Sequence, residues 1–142
     1  MPAPVKDNLR SLNDAERRAL ILVVERNPAV QRLERFFLEQ AGYSVEFASD
    51  GVGALARARE SCPRIVITEI LVPRLDGLSL CRALKSDPRT SSIVVLVFSH
   101  LHAEDRALEA GADAFIVKPI DGEHLIETVS KLLKIRRTGV RG

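Results

Sequence analysis

Short runs of aliphatic residues alternate along the chain with segments whose apolar residues recur at helical spacing. The aliphatic runs lie at residues 20–24, 44–48, 65–67, 93–98 and 114–117. Most of them lack polar alternation, as is typical of strands buried on both faces of a parallel sheet. The pattern predicts five strands, each followed by a helix.

The first helix has the clearest boundaries. Asn27 and Pro28 provide an N-cap and a first-turn proline, and Gly42 ends the helix. Four apolar residues between these limits share one predicted buried face: Val30, Leu33, Phe37 and Ala41. The other helices are predicted near residues 50–62, 78–87, 103–110 and 125–133, where Gly, Asp or Pro mark several of the ends.

Five βα units in about 115 residues predict an α/β fold, a doubly wound parallel sheet with helices on both faces. A TIM barrel needs roughly 200 residues or more. We expect an N-terminal tail at residues 1–18, one domain at residues 19–135 and a basic C-terminal tail at residues 136–142.

The composition excludes several functional classes of protein. The chain of 142 residues carries a net charge of +2 and has no Trp. Its last twelve residues include five basic and no acidic side chains. We expect no strong nucleic-acid binding, and we interpret the basic end as a solvated tail. No apolar run approaches the roughly 20 residues of a membrane span, and the N-terminus lacks a signal-peptide core, so we expect a cytoplasmic protein. Cys62 and Cys81 are expected to be free thiols.

Polar residues follow four of the predicted strands. Glu25 and Arg26 follow strand 1, Glu69 follows strand 3, Ser99 follows strand 4 and Lys118 follows strand 5. In open α/β sheets the ligand crevice lies beyond the carboxyl ends of the strands. The sequence therefore predicts that these side chains converge at one edge of the sheet.

Four segments carry a resemblance to a known family: LILVVERNP, IVITEILVPRLDGLSLCRAL, IVVLVFSH and GADAFIVKPI. They resemble the signature blocks of bacterial response-regulator receiver domains, the phosphoacceptor modules of two-component signalling. The resemblance implies a flavodoxin-like fold with strand order 2-1-3-4-5. In that family an acidic pair and an aspartate bind Mg²⁺, and the aspartate accepts a phosphoryl group from a histidine kinase.

The resemblance assigns a role to each matching position. The acidic pair falls on Glu25 and Arg26, and the phosphoacceptor falls on Glu69. The remaining positions are the switch hydroxyl, the aromatic switch, the lysine and the proline after a cis peptide bond, which fall on Ser99, Phe115, Lys118 and Pro119.

Two of these positions depart from the family pattern. Arg26 replaces a carboxylate that Mg²⁺ would need, so we expect metal binding to be lost or weak and no cofactor. Glu69 is one methylene longer than aspartate, which displaces its carboxylate by roughly 1.5 Å, whereas in-line attack needs positions held within about 0.5 Å. We expect Arg26 to pair with Glu69 and the Glu69 oxygens to lie where phosphoryl oxygens would, near Ser99 and Lys118.

Each residue also has an ordinary structural interpretation. Glu25 and Arg26 could form a strand-end ion pair, Ser99 could cap helix 4, Phe115 could belong to the core and Lys118 could be a surface residue. His100 and His102 lie near Glu104 and Asp105, but their i, i+2 spacing separates them on a helix, which favours solvated side chains over a metal site.

The leading functional hypothesis is a degenerate receiver-like signalling module, not an enzyme, that acts through protein contacts. The family's output face, here residues 103–133 of helix 4, strand 5 and helix 5, could support a homodimer or a partner complex. The first alternative is a working phosphoacceptor receiver controlled by a histidine kinase. The second is a small flavodoxin-like nucleotide or flavin binder, which the missing glycine-rich loop after strand 1 disfavours.

Overall fold

A computed structural model describes residues 19–138, with side chains through residue 134. The tail expected at residues 1–18 and the last four residues lie outside the described range. Five parallel strands form one sheet in the order β2-β1-β3-β4-β5, as the sequence predicted. The strands are β1 (Leu20–Val24), β2 (Ser44–Ala48), β3 (Ile65–Thr68), β4 (Val94–Ser99) and β5 (Ala114–Val117).

Each strand is followed by a helix. The helices are α1 (Pro28–Gln40), α2 (Gly51–Ser61), α3 (Gly77–Ser86), α4 (Glu104–Glu109) and α5 (Gly122–Thr138). The domain boundary expected at residue 135 lies inside α5, because the chain meets no helix-breaking residue before Gly139. None of the helices within residues 19–138 is long and apolar enough to cross a membrane.

Two apolar cores lie on opposite faces of the sheet. Alternate residues of β1 point to opposite faces, with Leu22 packing under α2, α3 and α4, and Ile21 packing under α1 and α5. The central strands β3 and β4 are buried along their whole length, which accounts for their nearly continuous apolar sequences.

Side chains and glycines fix the ends of several helices. The Asn27 side chain accepts a hydrogen bond from the backbone N–H of Ala29 at 2.9 Å, and Pro28 occupies the first turn of α1. The chain turns at Gly42 and Gly111, whose φ angles are 102° and 101°. These angles lie in the left-handed region that glycine adopts without steric cost.

The buried face of α1 differs from the predicted one. Leu33, which the apolar spacing placed inside, is exposed, whereas Glu34 and Leu38 face the sheet and are buried. The predicted face contained only apolar residues and left Glu34 out, and the burial of Glu34 rotates the helix relative to that expectation. As a result, two large apolar side chains of α1, Leu33 and Phe36, are exposed on its outer surface.

Candidate functional site

The predicted polar residues meet at the carboxyl edge of the sheet. Glu25 follows β1, Glu69 follows β3, Ser99 ends β4 and Lys118 follows β5. The two glutamates and Ser99 are buried, and Lys118 is half-buried. Strand connectivity alone brings these four residues together, because the carboxyl ends of parallel strands share one edge.

Lys118 links the two buried glutamates. Its Nζ lies 2.5 Å from Oε1 of Glu25 and 3.0 Å from Oε1 of Glu69. The backbone N–H of Lys118 donates to the carbonyl of Ser99 at 2.8 Å, and the peptide bond before Pro119 is cis, as the resemblance implied. The lysine charge therefore compensates two carboxylates at once.

The second oxygen of Glu69 lies among uncharged donors. Oε2 accepts hydrogen bonds from the Ser99 hydroxyl, from the Ile70 N–H at 2.6 Å and from the Leu71 N–H at 3.3 Å. Ser99 does not cap α4, whose N-cap position is occupied by Ala103 without a side-chain hydrogen bond. The carboxylate of Glu69 therefore has donors on both oxygens.

Electrostatics keeps Glu69 and Lys118 charged. Burial opposes ionisation of Glu69, but the hydrogen bonds from Ser99 and Lys118 outweigh it and lower the pKa of the carboxyl below its ordinary value. Burial likewise opposes charging of Lys118, and its bonds to Glu25 and Glu69 outweigh that effect and raise its pKa. The site is thus a compact ionic network.

Arg26 does not take part in this network. Its side chain is exposed, and the predicted bond to Glu69 is absent among the described residues, where Glu69 pairs with Lys118 and contacts His100. The prediction of that bond was wrong because consecutive residues at the end of an extended strand point in opposite directions, so the inward turn of Glu25 sends Arg26 outward. Lys118, and not Arg26, is therefore the ion-pair partner of both Glu25 and Glu69.

His100 replaces Arg26 as the second basic group beside Glu69. Its Nδ1 lies 3.1 Å from Oε1 of Glu69, although 59% of its side chain is exposed. The histidine is mostly exposed to solvent, as expected, but it also contacts the buried Glu69 carboxylate. His102, two residues further on, is exposed near Phe115. Within residues 19–138, no group of three or more His, Cys, Asp or Glu side chains is arranged to hold a metal ion.

Glu34 is the site residue that the sequence analysis missed. It projects from α1 into the core with 1% of its surface exposed, and its Oε1 has no hydrogen-bond partner among the described residues. Burial and the nearby negative charge of Glu25 raise its pKa to about 8. Its four-residue spacing from Leu38 on one helix face was the only available signal.

Phe115 occupies the α4 side of the sheet. Phe115 is half-buried and packs against the core under α2, α3 and α4. Its packing therefore agrees with the interpretation as a core residue, and it also occupies the sequence position of the aromatic switch. Phe115 and Val117 line a cavity of about 500 Å³ with the first residues of α4. The aromatic ring therefore borders the surface at the start of α4.

Sequence and structure comparisons identify the family. A model of the response regulator receiver domain matches residues 21–130, more than half of the chain. The chain belongs to the response regulator receiver domain family. The strand order and helix placement of this receiver domain are those of the flavodoxin-like fold.

Individual relatives agree with this assignment. The chain is 41% identical over 115 residues to the response regulator MprA of a Mycobacterium species, covering 80% of this chain and 50% of that protein. It is 34% identical over 117 residues to the DNA-binding dual master transcriptional regulator RpaA of Synechocystis, covering 80% of this chain and 48% of that protein. The chain thus spans about half the length of these curated relatives.

Solved structures show the same fold. The signal receiver domain of a signal transduction histidine kinase from Syntrophus aciditrophicus has a TM-score of 0.76 and 34% identity, over 82% of this chain and 90% of that one. A response regulator receiver domain protein from Clostridium thermocellum has a TM-score of 0.77 and 25% identity, over 84% and 98% of the respective chains.

Proposed function

We propose that this receiver domain is a cytoplasmic, non-enzymatic module of bacterial phosphorelay signalling that acts through protein contacts without being phosphorylated. The observation that carries the proposal is the shell of donors around Glu69. Its carboxylate oxygens accept from the Ser99 hydroxyl and two backbone N–H groups, and ion-pair with Lys118. A phosphoryl group on a shorter aspartate would present its oxygens to this same set of donors.

The proposal includes the loss of magnesium binding. Mg²⁺ requires several hard oxygen ligands in near-octahedral geometry. Here the ammonium of Lys118 lies against one oxygen of Glu25 and one of Glu69, and the position of the second carboxylate holds Arg26, which is exposed. The residues present therefore do not fit the ion, and no step of the proposed function uses it.

The phosphorylation prediction is tested by intact-protein mass spectrometry after incubation with acetyl phosphate and Mg²⁺. The wild type is expected to gain no phosphoryl group and to show no appreciable Mg²⁺ binding by calorimetry. The double variant Arg26→Asp, Glu69→Asp is expected to bind Mg²⁺ and to gain one phosphoryl group, because it restores both carboxylates of the family pattern.

A matched control is Arg32→Asp, Glu39→Asp, which makes the same types of change on the exposed face of α1. This control should behave as the wild type does. Phosphorylation of the wild type would reject the degenerate site and establish the working phosphoacceptor instead.

We further propose that the surface of α4, β5 and α5 carries the protein contacts, in the simplest case as a homodimer. Leu108 of α4 is a large apolar residue with 47% of its surface exposed, and the cavity lined by Phe115 and Val117 lies beside the start of the same helix. Exposed apolar surface of this kind favours an interface.

Sedimentation velocity tests the homodimer. We expect concentration-dependent dimerisation that Leu108→Arg weakens at least about tenfold, since a buried charge without a partner costs more than 1.4 kcal/mol. Val52→Arg is the control, because Val52 is comparably exposed on α2. A wild-type chain that stays monomeric at every concentration would contradict the homodimer.

A further inference from the structure

A pocket opens beside the ionic network, between α1 and the segment that follows β5. It has a volume of about 430 Å³, within the range of about 300–1,000 Å³ that is typical of sites for small molecules. Its apolar walls are formed by Val30 and Leu33 of α1, Phe98 of β4, and Pro119 and Ile120 after β5. The pocket is therefore suited to a small, largely apolar molecule.

The charged groups beside the pocket are already paired with one another. Lys118 lines the pocket, but its ammonium lies against one oxygen of Glu25 and one of Glu69, and 5.5 Å from the centre of the Phe98 ring. All four oxygens of the two carboxylates have donors within the protein. A charged ligand would therefore find no group that compensates for its lost hydration, which favours a neutral one.

His100 supplies the pocket with a hydrogen-bond acceptor. Its Nδ1 lies 3.1 Å from Oε1 of Glu69, and because the pKa of Glu69 is lowered, this carboxylate has no proton to donate. Nδ1 therefore carries the proton of the hydrogen bond, and Nε2 of the neutral imidazole is left as an acceptor. Nε2 lies on the other side of the ring from the buried carboxylate, and 59% of the His100 side chain is exposed.

We propose that this pocket binds a small neutral aromatic molecule that carries a hydroxyl group. The hydroxyl donates a hydrogen bond to Nε2 of His100, and the aromatic body packs between the apolar side chains of α1 and those that follow β5. The rings of His100 and Phe98 in the pocket wall favour an aromatic body over an aliphatic one.

A ligand bound in this way contacts the ionic network through His100. It holds the imidazole ring whose other nitrogen donates to Glu69, and it covers the side of the network that faces the pocket. This binding goes beyond the proposed function and does not rest on it, because the pocket needs neither Mg²⁺ nor a partner chain.

Methyl NMR of the full chain, with ¹³C-labelled Ile, Leu and Val methyl groups, tests the pocket with 2-naphthol as the probe. The signals of Val30, Leu33 and Ile120 should shift together, with a Kd on the order of 1 mM or below. The signals of Val52 and Leu108, which are exposed on α2 and α4, should not shift, and they control for non-specific binding. Equal shifts at the control methyls, or no shift at the pocket methyls up to the solubility limit of 2-naphthol, would overturn the proposal.

A related ligand and a variant of His100 test the hydrogen bond. 2-Methoxynaphthalene has no O–H group and should bind the wild type about three- to tenfold more weakly than 2-naphthol, which is the usual cost of one hydrogen bond. His100→Phe keeps an aromatic ring but removes the acceptor, so the two ligands should bind this variant with about equal affinity. A preference for 2-naphthol that persists in His100→Phe would reject His100 as the acceptor.

A charge introduced into the pocket wall tests the location of the ligand. Leu33→Asp should weaken the binding of 2-naphthol at least about fivefold, whereas the matched control Val52→Asp should leave it unchanged. Leu33 and Val52 are 45% and 41% exposed, so both variants should keep the fold, and the dispersion of the methyl signals verifies this. Equal affinities of the two variants for 2-naphthol would place the ligand outside the pocket and contradict the proposal.

Discussion

Replacing Glu34 with leucine should raise the free energy of unfolding at pH 8 by about 4 kcal/mol. The folded chain holds the pKa of Glu34 near 8, against an ordinary value of 4.5, because the carboxyl is buried and lies near Glu25. A shift of one pKa unit corresponds to about 1.4 kcal/mol, so removing the titration removes a penalty of this order.

The pH dependence gives the sign of this effect. Between pH 4.5 and about pH 8 the folded state keeps a proton on Glu34 that the unfolded chain releases, so the wild type loses stability as the pH rises through this window. Above about pH 8 both states have released the proton and this contribution is constant. Glu34→Leu should therefore flatten the stability profile between pH 5 and 8.

Urea denaturation at several pH values measures the difference between the two profiles. Glu39→Leu is the matched control, since Glu39 is an exposed glutamate on the same helix. Its profile should keep the wild-type slope, with a stability change within about 0.5 kcal/mol, as is usual for surface substitutions. Parallel profiles for the wild type and Glu34→Leu would show that Glu34 is ionised in the folded chain at neutral pH.

Replacing Lys118 with methionine should lower the free energy of unfolding by about 3–5 kcal/mol at neutral pH. The side chain lies within 3.0 Å of one oxygen of Glu69 and 2.5 Å of one oxygen of Glu25. Removing one partner of a buried ionic group leaves an uncompensated buried charge, which is costlier than the loss of the pair as a whole. Methionine keeps the length and the apolar packing of the lysine stem.

The stability difference between the wild type and Lys118→Met should become smaller in acid. The pKa of Glu69 is lowered in the folded chain and that of Lys118 is raised, so the network stabilises the fold above the ordinary glutamate pKa of 4.5 and loses that contribution as the pH falls through the lower folded value. The cost of Lys118→Met should shrink as the pH falls, because the buried Glu69 carboxylate that has lost its ion pair then takes up a proton and becomes neutral.

A rescue variant distinguishes the contribution of the Lys118 charge to stability from the contribution of its packing. Adding Glu25→Gln and Glu69→Gln to Lys118→Met removes both uncompensated charges, and it should recover most of the lost stability. A triple variant as unstable as Lys118→Met alone would mean that the lysine acts through packing and not through its charge.

Local sequence patterns were sufficient to predict the strands and helices and the order of the strands in the sheet. The uninterrupted apolar runs of β3 and β4 identified strands buried on both faces, and right-handed crossovers then left few arrangements of the sheet. The same reasoning located Glu69, Ser99 and Lys118 at one edge, because a side chain that directly follows a parallel strand can lie only there.

The sequence did not predict the direction in which individual side chains point. Glu25 and Arg26 are adjacent, and no local sequence pattern indicates which of the two side chains turns inward. The approach of His100 to Glu69 joins residues from two different strand ends, and the burial of Glu34 depends on how α1 is rotated against the sheet. Each of these is a long-range packing outcome that propensity and periodicity do not encode.

The sequence by itself determined the family, the strand order and the set of polar residues at the sheet edge, because those depend on periodicity, chain connectivity and residue type. Only the tertiary structure decided which charges are paired. A buried charge must find a partner or lose its charge, and packing assigned Lys118 to two glutamates, left Arg26 in solvent and raised the pKa of Glu34.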